Sequence, residues 1–129
     1  MIDIIPYVES QMSRRKIIFK AKRWKDKKWI YGDLFQNQNG TVVHYYLRGM
    51  RTADDVDDRT VCQYTGLEDK NGTGIYENDI ALYQDEKVIV KYDENVAAFV
   101  IAKEDGWMMP FIITSPKNIE VIGNIHDME

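Results

Sequence analysis

Residues 16–22 read Lys16-Ile17-Ile18-Phe19-Lys20-Ala21-Lys22, bulky apolar side chains closed off by lysines. Lysines at the margins guard a strand edge against wrong pairing, so the pattern predicts a β-strand. Alternation puts Ile18, Lys20 and Lys22 on one face and Ile17, Phe19 and Ala21 on the other, as in an ordinary half-buried strand. After Trp24 and the polar turn Lys25-Asp26-Lys27-Lys28, residues 29–35 return as an aromatic-rich second strand. The stretch 36–40 ends in Asn39-Gly40, which tolerates the positive φ of a tight hairpin turn. A third strand over 41–48 separates Val42, His44 and Tyr46 from Val43, Tyr45 and Leu47. Together these segments predict a β meander.

The pattern changes between residues 51 and 59, where Asp54, Asp55, Asp57 and Asp58 put four acids in five positions. That density predicts a solvated loop or the first turn of a short helix, where acids suit the helix dipole, and it marks a subdomain boundary. Strand-like segments then recur over 60–65, 87–92, 97–102, 107–109 and 119–125. Between them lie the turns Asn71-Gly72, Asp93-Glu94-Asn95, Glu104-Asp105-Gly106 and Ser115-Pro116-Lys117-Asn118. Pro110 would break a central ladder and argues for an edge or a bend. Short strands at close intervals predict a small barrel or sandwich. At the start, Ile4, Ile5, Val8 and Met12 have a helical spacing, but so short a helix is marginal alone. Residues 1–15 are therefore a short helix or a tail. The expected fold is mostly β with few short helices, a basic meander with its acidic loop over 16–59 and a small β unit over 60–129.

At 129 residues, 44% hydrophobic and 29% charged, the chain is an ordinary globular sequence. Folding at this size buries about two-thirds of the unfolded surface, enough for one modest core or a core plus a small packed subdomain. A two-domain enzyme with a cleft between full domains is excluded. No apolar run approaches the ~18 residues of a membrane span. The first residues carry Asp3 and Glu9 and no basic leader, so no signal peptide is expected. The single cysteine, Cys62, cannot form an internal bridge and fits a reducing cytosol.

Net charge is −4, but its distribution is lopsided. Residues 1–32 hold nine basic and three acidic side chains, and residues 33–129 hold eight basic and eighteen acidic ones. Two readings follow. The basic segment is a face for nucleic acid or an acidic partner, or it pairs with acidic surface on the same chain or a sister subunit. The second is favoured, because an acidic chain repels a phosphate backbone at long range. Candidate chemistry concentrates in the hairpin. Phe19, Trp24, Trp29 and Tyr31 interleave with Arg15, Lys16, Lys20, Lys22, Arg23, Lys25, Lys27 and Lys28. Aromatics with cations on a sheet stack bases and neutralise phosphates. The competing reading puts the aromatics in the core with the lysines as their wet neighbours.

Other chemistry finds less support. Asp69, Asn71, Thr73, Gly74 and Glu77 fall at positions one, three, five, six and nine of a calcium loop, but position twelve is Ile80, which cannot supply the bidentate acid. The Asp54–Asp58 run reads as acidic surface. Zinc-ligand spacings and a phosphate-cradling loop are missing. Cys62 in a strand is expected to be an inert small hydrophobe, and nothing in the sequence supports pairing it with His44. His126 lies near the end. No catalytic set, metal or cofactor is expected.

Residues 63–80, from Gln63-Tyr64-Thr65-Gly66-Leu67 through Asp69, Gly72 and Gly74 to Ile75-Tyr76-Glu77-Asn78-Asp79-Ile80, closely resemble the signature of the YopX family of phage and prophage proteins. That signature reads Gln-Tyr-Thr-Gly-Leu-x-Asp-x-x-Gly, then Ile-Tyr-Glu-Gly-Asp-Ile. Residues 16–24, 29–33 and 119–125 resemble its opening, second and closing strands, so the likeness spans about residues 16–125. Asn78 stands where the family has glycine, and asparagine is the next best residue for a left-handed backbone. Residues 1–15 precede the usual start. The resemblance implies phage or prophage origin, a mostly β fold with an SH3-like C-terminal barrel and self-association, and it brings no catalytic or ligand residues. Within the motif, Gly66, Gly72 and Gly74 would permit turns. Tyr64, Leu67, Ile75, Tyr76 and Ile80 would pack beneath them, and Asp79 would tie down backbone amides.

The expectation is a non-enzymatic phage or prophage accessory protein in the bacterial cytoplasm, acting as a homo-oligomer or on a host or phage protein. The alternative is a nucleic-acid-binding module using Arg15, Lys16, Lys20, Lys22, Arg23, Trp24, Lys27 and Lys28. Gln63, Tyr64, Gly66, Leu67, Gly72, Ile75, Tyr76 and Asp79 are expected to be structural.

Overall fold

The computed structural model describes residues 15–111 and 115–127; the expected helix or tail within residues 1–15 lies, but for Arg15, outside them. Among the described residues eleven strands form two antiparallel sheets. The first holds β1 (Phe19–Lys22), β2 (Trp29–Asn37), β3 (Gly40–Leu47), β4 (Met50–Asp55), β5 (Cys62–Glu68) and β6 (Gly74–Tyr76), in the order β4-β3-β2-β1-β5-β6. The second holds β7 (Asp79–Tyr83), β8 (Glu86–Asp93), β9 (Ala98–Ala102), β10 (Met108–Pro110) and β11 (Ile119–Asn124), in the order β10-β9-β8-β7-β11. Short 3-10 turns at Asp58–Thr60 and Pro116–Asn118 complete the fold. No helix among the described residues is long and apolar enough to cross a membrane.

The mostly β class and the opening meander are as expected, and Pro110 sits at the end of an edge strand. Two particulars differ. The second sheet is open, because β10 and β11 are its edges and do not pair with each other among the described residues. It is not a closed barrel. The signature strand β5 joins β1 instead, with Phe19 opposite Gln63 and Lys20 opposite Cys62.

The acidic stretch is the second difference. Asp54 and Asp55 lie in β4, which pairs with β3 from Val42↔Asp55 to Leu47↔Met50. Arg48 and Gly49 both have positive φ, +52° and +79°, the backbone of a two-residue hairpin turn that sends the chain straight back. Asp54 is held there by the Tyr45 hydroxyl and by Arg23 Nη1 at 3.3 Å. Asp57 caps the following 3-10 turn and pairs with Arg59 at 2.7 Å.

Among the described residues there are two apolar clusters, and the larger one joins the second sheet to β5 and β6 of the first. Ile75, Ala81, Val88, Val90, Ile101 and Ile119 are buried together, with Leu67, Trp107 and Phe111 packed against them. Ala21, Ile30, Val43 and Val56 form the other cluster. The β2–β3 contact depends on Gly32, where a Cβ would lie 2.0 Å from the His44 carbonyl oxygen.

Two aspartates of the signature join the pieces. Asp69 Oδ1 accepts the Asn71 and Thr73 backbone N–H groups at 2.8 and 2.9 Å, and its Oδ2 accepts Val121 N–H at 2.8 Å. Asp79 accepts Tyr76 N–H at 2.8 Å and Asn124 Nδ2 at 2.9 Å. Asp79 was expected to tie down amides in the turn that follows it; the amide it holds is that of Tyr76, three residues before it, and Asp69 also holds backbone amides. Asn78 has φ +69°, the left-handed conformation expected of it.

Candidate functional site

Both lysines of β1 are buried, Lys20 at 8% exposure and Lys22 at 4%. Lys20 Nζ lies 4.4 Å from the Trp29 ring centroid, 4.9 Å from that of Tyr76 and 3.6 Å from Asp79 Oδ1. Lys22 Nζ donates to the His126 carbonyl and lies 5.6 Å from the Trp29 ring. This corrects the expectation of wet lysines beside core aromatics. Ring faces attract cations, and a lysine stem packs well against apolar surface. The far side of β1 buries Ala21 in the core.

Other cations of the hairpin also find partners on the same chain. Arg23 makes a two-pronged contact with Asp26, at 3.1 and 2.6 Å, and reaches Tyr45 and Asp54. Lys25 is 3.9 Å from Asp54. Arg15, Lys16, Lys27 and Lys28 are exposed, and Lys27 Nζ stands 4.4 Å over the half-exposed Trp24. The proposed basic surface is therefore divided, with Lys20 and Lys22 inside and the rest outside or on its margin.

A cleft of about 570 Å³ opens where β1, β2, the signature and β11 meet, walled by Lys16, Trp29, Tyr31, Tyr64, Tyr76 and Asp127. The tyrosine rings touch, with centroids 5.8 Å apart for Tyr31–Tyr76 and 5.2 Å for Tyr64–Tyr76. Burial pushes the Tyr76 phenol up to about 12 and raises Tyr31, so both stay protonated near neutrality. Asp79 lies at the floor, and burial raises it despite its hydrogen bonds and Lys20. The Trp29 indole N–H donates to Asp127 at 2.9 Å. Of the motif residues, Tyr64, Gly72, Tyr76 and Asp79 line this cleft and Ile75 is in the core. Leu67 packs against that core and also lines a second groove with Gln63. Gly66 is exposed with φ +86°.

Among the described residues Cys62 and His44 do not meet. Cys62 is buried, and desolvation pushes its thiol up to about 11. Its Sγ lies 3.3 Å from the Thr60 carbonyl and 3.8 Å from the side-chain amides of Asn78 and Asn124. The His44 ring lies tilted against Phe35, centroids 4.4 Å apart, and accepts from Arg51 Nε at 3.3 Å. The structure gives these two residues separate surroundings. Among the described residues no cluster of His, Cys, Asp or Glu is placed to hold a metal.

The β3–β4 hairpin ends in an apolar tip, with Tyr46 73%, Leu47 55% and Met50 71% exposed beside the exposed Arg48 and Arg51. Sequence reasoning did not single it out, although the apolar residues at both sides of a Gly49 turn are its signal. Asp69, Asn124 and Asp127 were also missed as structural ties, because the partners that join distant strands, Val121, Asp79 and Trp29, lie far away in the chain.

Comparison with known proteins fits this architecture. The YopX protein family matches residues 18–128. No curated protein matches the chain. Among solved structures, the crystal structure of protein EF1440 from Enterococcus faecalis is similar, with a TM-score of 0.54 at 22% identity over 88% of this chain and 95% of that one. At that identity the likeness speaks to the fold alone. The family match takes in both sheets and every strand described above, and the chain belongs to the YopX family.

Proposed function

We propose that the protein is a non-enzymatic accessory protein of phage or prophage descent that acts in the bacterial cytoplasm by associating with copies of itself. One observation carries this reading: the exposed end of the β3–β4 hairpin, where Leu47 pairs with Met50 on one face and Tyr46 stands exposed on the other. Large apolar side chains exposed together at the end of one hairpin mark an interaction surface. The tip belongs to the edge of its sheet, where unpaired backbone invites company. The interior supports a binding role over a catalytic one. Lys20 and Asp79 face each other, Asp69 is spent on three backbone N–H groups, and Cys62 is held as a thiol. Light scattering over a range of concentrations, at low and high salt, tests it. The expected result is a mass above 15.1 kDa that falls in the Tyr46→Ser/Met50→Ser variant. A strict monomer under all conditions overturns the reading.

A second reading has its own support in the tyrosine cleft. Tyr31, Tyr64 and Tyr76 offer contiguous ring faces with Lys16 beside them, which suits a single-stranded nucleic acid. Its test is fluorescence anisotropy with single- and double-stranded probes at low salt, where absence of binding ends the idea.

A further inference from the structure

The apolar tip has a counterpart on the same molecule. A groove of about 790 Å³ runs between β5 and the β8–β9 hairpin, and its apolar wall is Leu67, Tyr92, Val96, Phe99 and Phe111. Tyr92 and Phe99 meet edge to face at 5.3 Å, while Tyr92 and Val96 stand about half-exposed. That volume is within the roughly 300–1,000 Å³ of ordinary binding pockets. The charges differ in sign between the two surfaces. The tip carries Arg48 and Arg51. The groove has Glu77 in its wall and the carboxylates of Asp93 and Glu94 in the adjoining turn, against the guanidinium of Arg15 among the described residues.

A chain cannot fill its own groove with its own tip. In the first sheet β3 and β4 are three and four places from β5, and strands lie about 4.8 Å apart, so some 14–19 Å of sheet stands between them. A knob on one place and its hole on another generate a head-to-tail contact between copies, which grows into a ring or an open chain.

We propose that the β3–β4 tip of one copy, with Tyr46, Leu47 and Met50, seats in the Tyr92–Val96–Phe99 groove of the next. This rests on the self-association reading and names the two surfaces that carry it. Arg48 and Arg51 then approach Glu77, Asp93 and Glu94, so salt weakens the contact without abolishing it.

The test uses two variants of the full chain, one without a tip (Leu47→Ser/Met50→Ser) and one with a blocked groove (Tyr92→Glu/Val96→Glu). All four positions are exposed, and circular dichroism checks that the fold is kept. Met50→Ser and Val96→Glu alone replace a double variant that fails to fold. Each variant by itself is expected at the 15.1 kDa monomer mass, and an equimolar mixture at twice that mass and no higher. In the mixture one intact groove meets one intact tip, and nothing can extend further. A mixture that stays monomeric, or either variant keeping the wild-type mass, overturns the proposal. Wild-type association with both variants unaffected removes this contact and leaves self-association standing. A monomeric wild type removes both.

Discussion

The Lys20 ammonium stands 4.4 Å over the indole of Trp29 and 3.6 Å from Asp79, so a cation from the first sheet neutralises the aspartate that opens the second. Removing one member of such a buried pair strands the other. Lys20→Met is expected to cost about 3 kcal/mol at neutral pH. Burial already raises Asp79, and without Lys20 it rises further. A carboxyl whose folded pKa exceeds its unfolded value binds protons more readily in the folded state, so stability increases as pH falls through the folded pKa towards the unfolded one. The variant's deficit should therefore shrink in acid. Chemical denaturation from pH 7 down to pH 5 measures it, and Lys20→Met/Asp79→Asn should recover only part of the loss at pH 7, because both Asp79 oxygens accept hydrogen bonds, from Tyr76 N–H and Asn124 Nδ2, and an amide keeps one acceptor.

Asp69 behaves in the opposite sense. Burial pulls it upward, but backbone N–H groups of Val121, Thr73 and Asn71 outweigh that and hold it below the usual carboxylate range. A depressed folded pKa stabilises the protein above the unfolded value of about 3.9 and loses that contribution as pH falls through the folded pKa. Asp69→Asn places an amide NH₂ where an acceptor is needed and should cost about 1–3 kcal/mol near neutrality. The variant should also show a shallower loss of stability on acidification. Acid titration followed by tryptophan fluorescence checks both, and faster hydrogen exchange at the Val121 amide locates the effect.

These ties explain which parts of the structure were legible beforehand. Strand alternation and the Asn39-Gly40 turn are local, and they announce β2 and β3 correctly. The left-handed Asn78 was readable because it stands in a glycine position. Lys22 was not, since its partner His126 lies 104 residues away, and Trp29 is 98 residues from Asp127. With those partners unseen, a lysine in a strand looks solvated. Strand β4 was missed for the same reason. Four acids look like a loop until Tyr45 and Arg23 come to meet Asp54. The open second sheet was equally beyond local pattern, because pairing of β5 with β1 is a choice between distant strands.

Gly32 offers a sharp test of the β2–β3 packing. A methyl group there would sit 2.0 Å from the His44 carbonyl oxygen, which is backbone and cannot swing aside. Relief requires the two strands to part, at a cost of about 3 kcal/mol, the upper end for overpacking. Gly32→Ala should lower the thermal midpoint by several degrees or more, seen by calorimetry. Ala53→Gly, at an exposed position of the neighbouring β4, should change it by far less.

Cys62 reports on the integrity of the whole assembly. It is fully buried opposite Lys20, and desolvation pushes its thiol up to about 11. The thiolate is the nucleophile, so at pH 7.5 the folded protein presents neither access nor the reactive form. Labelling by a thiol reagent should then proceed only through opening of the β1–β5 region, at a rate proportional to the open population when reclosing is fast. Denaturant should raise that rate in step with unfolding, and Lys20→Met should raise it in native buffer. The conserved charge of Lys20→Arg is no substitute for its shape, because the planar guanidinium must fit between Trp29 and Asp79, so that variant should label at an intermediate rate. Prompt labelling of the folded wild type would contradict the burial that underlies each of these expectations.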